Sequence, residues 1–319
     1  MTALTLDALC DRLLAAKDPL ILTHRNPDGD TVGSAAALYR ILKRLGKSPA
    51  VLAEREFHAR YAFLLEGIPT EVTEGEHTVI AVDVASPQQL GSFAEQFTPD
   101  LQIDHHEFGT PFADHYVVPS AAACGEVVLA IAKRLCERGA LSVDTEIASP
   151  IYAAISSDTG CFCFSNVTPN THLCAAELLS IGVRADEINH LLFNSKSKEQ
   201  LAAEAYVLSH MSTAFDGRVG SFVLTLAERE RLGLSEEAFD TAIDMVRSLA
   251  GVFIAVTVKE KAKGQHRVSL RSTDVSITPI ATHFGGGGHA RAAGCTVSAE
   301  DASGALTLVL DALKSVLTD

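Results

Sequence analysis

Three short apolar runs, each ending on an acid or a histidine, constrain this chain more than any other feature. PLILT (19–23) runs into His24, TVIAVDVA (78–85) holds Asp83 near its end, and LQID (101–104) ends on Asp104 and runs into His105 and His106. Runs of this length that stay apolar without alternating read as strands buried on both faces, as in a parallel sheet covered by helices. A further strand is expected at 50–53, and helices at 34–45, 55–66, 125–138, 145–156 and 170–181. Strand alternating with helix predicts a doubly wound, mainly parallel α/β sheet. Ligands of such sheets bind beyond the C-terminal ends of the strands, which is where His24, Asp83 and the Asp104–His106 group fall.

The stretch His24-Arg25-Asn26-Pro27-Asp28-Gly29-Asp30 adds two acids after the first strand, with Pro27 and Gly29 predicting a tight turn between them. Asp158 follows the helix at 145–156, before Thr159-Gly160. Taken singly, Asp83 reads equally well as a satisfied core acid, and Asp158 reads better as a turn residue. Ionisable groups in apolar surroundings are costly unless paired or metal-bound, however, and six or more at successive strand ends favour a shared ligand. Carboxylates with a few imidazoles suit hard divalent ions, Mn²⁺ or Mg²⁺, over a thiolate-rich zinc site. An acid with partners on both sides suits two ions roughly 3.5–4 Å apart.

With 319 residues the chain has room for two domains, and 47% hydrophobic content excludes wholesale disorder. The formal charge of −14 argues against coating long nucleic acid, though a short nucleotide held by a few cations remains compatible. Seven cysteines, an odd number with no CxxC pair, argue against a disulfide framework and for a reducing, cytoplasmic setting. Cys161-Phe162-Cys163 reads as packed. No apolar run approaches the ~20 residues of a membrane span, and the amphipathic start, with acids among its apolar positions, lacks signal-peptide character.

The character changes around 188–201, where NSKSKEQL reads as a partly helical link. Beyond it, strands are expected at 220–227, 252–259, 266–271 and 295–297, and helices at 238–250, 277–284 and 302–317. Gly285–Gly288 lacks the Lys-Ser/Thr of a P-loop, and no GxGxxG opens the first βα unit. The run reads either as a flexible turn or as bare backbone whose N–H groups approach an anion. Arg271, flanked by Leu270 and Ser272, is a candidate for bidentate phosphate contact.

Together these motifs resemble the DHH-family phosphoesterases with their associated C-terminal substrate-binding domain. Within that family they are most similar to the stand-alone bacterial oligoribonuclease (nanoRNase) and 3′-phosphoadenosine 5′-phosphate phosphatase group. The first motif matches His24, Asp28-Gly29-Asp30 and Gly33-Ser34, the second Asp83, the third Asp104-His105-His106 and the fourth Asp158-Thr159-Gly160. The glycine-rich motif matches Gly285–Gly288, His289 and Ala292-Ala293-Gly294. The resemblance spans nearly the whole chain and implies a catalytic domain over 1–187, a linker over 188–204 and a smaller α/β domain with a mixed sheet over 205–319. It also implies an active site in the cleft between the domains.

By the same resemblance, two divalent ions are bound, Mn²⁺ in preference to Mg²⁺. His24 and Asp28 hold one, Asp30, His105 and Asp158 the other, and Asp83 bridges them. Asp104 orients a ligand histidine, and His106 lies beside the scissile phosphate. Arg271 and Ser272, with Gly286, Gly287, Gly288 and His289, hold the substrate's phosphate and terminal nucleotide. One departure is Gln89, where many members carry a basic residue, so the resemblance does not carry a phosphate contact, or a preference among phosphorylated ends, over to that segment.

The implied activity is hydrolysis of short oligoribonucleotides and linear dinucleotides to mononucleotides, with 3′-phosphoadenosine 5′-phosphate as a further substrate. Cyclic di-AMP hydrolysis is the alternative within the class, disfavoured by the lack of membrane and sensor segments. A non-catalytic nucleotide sensor is the alternative outside it, disfavoured because every metal-ligand position keeps its acid or histidine. Neither long nucleic acid nor a membrane is an expected partner, and a homodimer is left open.

Overall fold

A computed structural model describes residues 1–53, 59–72 and 74–317. The chain divides into two compact units, Met1–Ser195 and Lys196–Asp319. In the first, strands β1 (Leu20–Leu22), β2 (Ala50–Leu52), β3 (Val79–Val82), β4 (Leu101–Asp104) and β5 (Asp114–Val117) form one sheet. Its helices are α1 (Leu6–Ala15), α2 (Gly29–Arg44), α3 (Phe93–Gln96), α4 (Cys124–Glu137), α5 (Thr145–Asp158), α6 (Pro169–Ile181) and α7 (Ala185–Asn189). The strand order is β2-β1-β3-β4-β5, every pair parallel, so the winding reverses between β1 and β3.

β1, β3 and β4 are buried at every residue, which is why they read as unbroken apolar runs. Ile21, Val51, Ile80, Val82 and Ile103 face the larger core with α1, α2, α4 and α5. Leu20, Leu22, Leu52, Val79 and Ala81 face a smaller one with Leu90 and Phe93. Both faces are therefore covered, as the doubly wound pattern requires.

One local expectation changes at the most informative place. α2 starts at Gly29, five residues before the expected start, and no separate turn lies between Asp28 and Asp30. Asp28 is the N-cap, its Oδ1 accepting from the backbone N–H groups of Asp30 (3.0 Å) and Thr31 (3.1 Å). Gly29 fits there because a Cβ would collide with the Ser157 hydroxyl on α5. Similarly, α5 extends to Asp158, two residues beyond the expected end. Of the helix expected at 55–66, Ala59–Leu65 is 3₁₀ and residues 54–58 lie outside the described residues. Of the stretch expected to be packed, Phe162 does pack against the larger core and Cys161 is half-buried, but Cys163 is exposed.

The second unit contains α8 (Lys198–His210), β6 (Ser212–Ala214), β7 (Val219–Leu224), α9 (Leu226–Leu232), α10 (Ala242–Arg247), β8 (Ile254–Ala262), β9 (Gln265–Ser272), α11 (Thr278–His283), β10 (Gly287–His289), β11 (Ala292–Ser298) and α12 (Ala302–Leu317). The sheet order is β10-β11-β9-β8-β7-β6, mixed because only β7 and β8 run parallel. The polar stretch read as a link begins α8, with a reciprocal cap between Ser197 and Gln200. Part of the glycine run is strand, not loop. A Cβ on Gly288 would come 2.5 Å from the Ala292 carbonyl, and one on Gly286 would collide with the Gly294 carbonyl. Close backbone approach, not flexibility, explains those glycines.

Candidate metal centre

The C-terminal ends of β1, β3 and β4 deliver His24, Asp83 and Asp104–His106 to one edge of the sheet, at the point where the winding reverses. The start of α2 adds Asp28 and Asp30, and the end of α5 adds Asp158. Three groups result. His24, Asp28 and Asp83 each offer one ligand atom within 4.8 Å of the others, as do Asp30, His105 and Asp158, and as do Asp83, His105 and His106.

Asp83 joins them. Its Oδ2 lies 3.8 Å from His24 Nε2, while its Oδ1 lies 3.5 Å from His105 Nε2 and 3.7 Å from His106 Nδ1. The residue is only 2% exposed, and its Oδ1 accepts no hydrogen bond. Its φ of +59° is a left-handed conformation that a non-glycine residue adopts at a cost of about 1–3 kcal/mol. A buried, strained carboxylate with an unsatisfied oxygen is unfavourable by itself and fits a cation well. Burial, and then the charges of Asp30, Asp28, Asp104 and Asp158, push the Asp83 carboxyl well above its ordinary range. Burial likewise pushes Asp30 up to about 8 and Asp158 up to about 6. Divalent cations among these oxygens would reverse the penalty.

Neighbouring groups fix the orientation of each donor. Asp30 sits on the N-terminus of α4, accepting from the backbone N–H groups of Cys124 (2.7 Å) and Gly125 (3.0 Å) and from the Ser34 hydroxyl (3.1 Å). His105 Nδ1 lies 3.1 Å from the Ala121 carbonyl. That contact assigns the proton to Nδ1 and leaves Nε2 as the donor atom toward Asp30 (3.5 Å) and Asp158 (4.0 Å). Asp104 accepts from His106 Nδ1 (2.7 Å) and from the His105 backbone N–H (2.8 Å). Burial, the largest single effect, raises the Asp104 carboxyl, but the His106 hydrogen bond, the charges of His106 and His105 and the His105 N–H together outweigh it and hold the group below its ordinary value. Asp104 thus orients His106, whereas His105 is oriented by a carbonyl.

Several of these partners left no mark in the sequence. The Ala121 carbonyl and the N–H groups of α4 are backbone. Asn166, whose amide donates to Asp158 Oδ2 (3.3 Å) and to the Ala122 carbonyl (2.9 Å), sits in a segment without a motif. Gln89 bonds backbone on both sides. Its Oε1 accepts from the Ala85 N–H (2.6 Å), and its carbonyl accepts from the Arg25 N–H (2.6 Å). It fastens the segments leaving β1 and β3 to each other.

In the second unit, alternation along β9 sorts the expected phosphate-binding residues. Arg267, Ser269 and Arg271 share one face, and His266, Val268, Leu270 and Ser272 are buried on the other. Arg267, Ser269 and Arg271 line a cavity of about 540 Å³ together with Lys261 and Gly285, Gly286 and Gly287. Ser272 does not line it; its hydroxyl accepts from the Val275 N–H (3.1 Å) and shapes a turn. Gly288 and His289 belong to β10, which pairs with β11. Lys261 and Arg267 join the cavity although no motif marks them, because isolated basic residues are usually just solvated.

Comparison with known proteins agrees with this layout. The DHH family N-terminal domain matches residues 19–155, and the DHHA1 domain matches residues 220–318. The bifunctional oligoribonuclease and PAP phosphatase NrnA of Thermus thermophilus is 35% identical over 96% of this chain and 92% of its own length. The protein of the same name from Bacillus subtilis is 27% identical over 95% of this chain and 96% of its own. Among solved structures, an exopolyphosphatase-related protein from Bacteroides fragilis aligns with a TM-score of 0.89 at 22% identity, covering 98% of this chain and 97% of that one. RecJ of Thermus thermophilus in complex with Mn²⁺ aligns at 0.59 and 15% identity over 98% of this chain and 55% of its own, a likeness of fold. On the family matches and the identity to the Thermus relative, the chain belongs to the DHH family of phosphoester hydrolases, its DHH domain followed by a DHHA1 domain.

Proposed function

We propose that this enzyme hydrolyses short oligoribonucleotides and linear dinucleotides to mononucleotides, and 3′-phosphoadenosine 5′-phosphate to AMP, with two divalent cations at the Asp83 centre. The observation with most weight is that two His/Asp groups meet on the two oxygens of Asp83. His24 and Asp28 would serve one ion, Asp30, His105 and Asp158 the other, with Asp83 between them. An oxygen-rich donor set containing imidazoles favours Mn²⁺, with Mg²⁺ as the substitute. Bound divalent ions supply Lewis acidity toward phosphoryl oxygens and a nucleophile at neutral pH.

The chain's own residues do the rest. Asp104 fixes His106 through Nδ1, so Nε2 is the nitrogen for the substrate; protonated, it offers Nε2–H to a phosphoryl oxygen. Arg271 presents a guanidinium from a half-buried position, where a phosphate can be held bidentately. Gly286 and Gly287 bring bare backbone to the same cavity, and Lys261 and Arg267 extend its positive lining. A net charge of −14 limits such cationic tracks and so favours short substrates. The names of the NrnA relatives support the same substrate class.

The test is a product time course on 5′-labelled di- to pentaribonucleotides beside 3′-phosphoadenosine 5′-phosphate, each with Mn²⁺. Mononucleotides and AMP are expected from the unaltered enzyme. Asp83→Ala and Asp158→Ala are expected to lose turnover by about 10³-fold or more, as when several kcal/mol of transition-state stabilisation are removed. A protein that retains the dinucleotide uncleaved would be a sensor, and Mn²⁺-dependent turnover by Asp83→Ala would remove the proposed centre.

A further inference from the structure

We infer that Phe108 is a stacking platform for a nucleobase next to the scissile phosphate. The inference rests on the nucleotide-hydrolysing reading above and adds to it a residue that no motif includes. Phe108 is 78% exposed, more than any other large apolar side chain among the described residues except Met1. It lies two residues beyond His106, so their Cα atoms are at most about 7 Å apart.

The backbone that presents it is tied down on both sides. Upstream, His106 is held by Asp104 at 2.7 Å. Downstream, the Thr110 N–H donates to the Ala85 carbonyl at 2.9 Å, and a Cβ on Gly109 would come 2.6 Å from that same oxygen. Ala85 itself is two residues beyond Asp83. The segment bearing Phe108 is therefore fastened to the segment leaving β3, directly beside the metal centre.

A single exposed apolar side chain is ordinary. Phe108 differs from the other phenylalanines near the site in joining no apolar cluster and no ring pair among the described residues. Phe112, four residues on, packs against the smaller core. Phe162 stacks on His172 with centroids 5.6 Å apart. Phe164 lays its ring over Gly160. Phe108 belongs to none of the apolar clusters of the described residues. A planar apolar ring, exposed on a fixed backbone within reach of a phosphate-cleaving centre, is what a nucleobase stacks on, and every base offers a π-face to it.

The experiment measures kcat and KM with Mn²⁺ for a diribonucleotide and for two analogues in which one base at a time is replaced by hydrogen. Removing a base–aromatic contact changes apparent affinity by about 5- to 150-fold. Phe108→Ala is expected to raise KM for the diribonucleotide by a factor in that range, with a much smaller change in kcat. The penalty should collapse to less than about twofold on one of the two base-free analogues, since the stack would already be missing. Phe108→Tyr and Phe108→Trp should restore KM, and Phe108→Leu should not. The inference is overturned if the penalty is the same on all three substrates, if it is absent, or if Leu restores as well as Trp. Failure of the unaltered enzyme to cleave the diribonucleotide at all would instead overturn the nucleotide-hydrolysing reading.

Discussion

At the scale of single residues, Asp83 shows how binding chemistry opposes stability. It is buried, sits at positive φ and leaves one oxygen without a hydrogen-bond donor. Asparagine keeps the shape, tolerates the left-handed region and removes the charge. Asp83→Asn should therefore stabilise the chelated protein by about 1–3 kcal/mol, while abolishing both turnover and the rise in melting temperature caused by Mn²⁺. Melting curves with chelator and with Mn²⁺ check this; an Asn variant that melts lower in chelator, or still responds to Mn²⁺, refutes it. Protons follow from the same geometry. Asp30 is pushed up to about 8 and Asp158 up to about 6, both chiefly by burial. A carboxyl whose folded value is raised contributes stability that is full below the unfolded value of about 3.9 and is lost as pH rises through the folded one. The metal-free protein should thus weaken between about pH 4 and 8, and Mn²⁺ uptake at pH 6–7 should release protons. Titration calorimetry in buffers of different ionisation enthalpy measures that release, and an enthalpy independent of buffer would contradict it. The acids and histidines of this centre were legible because ionisable side chains at the ends of apolar strands are conspicuous. Their supports were not, because the Ala121 carbonyl and the Cys124 and Gly125 N–H groups carry no side-chain signature.

Among the elements, α2 governs the site, since its first turn carries Asp28 and Asp30 and its middle packs on α5. Gly33 makes the close approach possible: a Cβ there would lie 2.6 Å from the Pro150 carbonyl and 3.0 Å from the Ala154 Cβ. Helix propensity alone favours alanine over glycine by about 1 kcal/mol. Overpacking acts the other way by about 1–3 kcal/mol, and backbone at 2.6 Å cannot rotate aside as a side chain can. Gly33→Ala is accordingly expected to destabilise by about 1–2 kcal/mol and to lower kcat by shifting the start of α2. Gly304→Ala in α12, where the nearest atom would be 3.4 Å away, is the matched control and should be neutral or stabilising. Denaturant melts of the two variants decide the point, and equal stabilities would remove Gly33 as a packing determinant. β1, β3 and β4 could be read in advance because burial on both faces leaves unbroken apolar runs. β5, half-buried along DHYV, and β6, mostly exposed, gave no such run. The start of α2 was obscured by Pro27 and Gly29, residues that look like a turn but here precede and open a capped helix.

Across the whole molecule, the residues proposed for metal chemistry and those proposed for phosphate binding fall in different units. Every residue from His24 to Asp158 in the candidate metal centre lies within Met1–Ser195, and Arg271 with its cavity lies within Lys196–Asp319. Each unit has apolar cores built from its own residues, which is the condition for folding alone. A fragment of residues 1–195 should therefore fold, gain melting temperature with Mn²⁺ and hydrolyse a small activated ester such as p-nitrophenyl phosphate. Its kcat/KM for a diribonucleotide should fall by about 100-fold or more, because charge-assisted hydrogen bonds worth about 1.5–3 kcal/mol each are missing. Arg271→Ala in the full chain should reproduce one such contact, about a 10- to 150-fold loss in kcat/KM, with the Mn²⁺ response intact. The two variants separate the units' roles. If the fragment cleaves the diribonucleotide as fast as the full chain, substrate recognition resides in the first unit. If Arg271→Ala blunts the Mn²⁺ response, the metal centre depends on the second unit, and the division of labour fails.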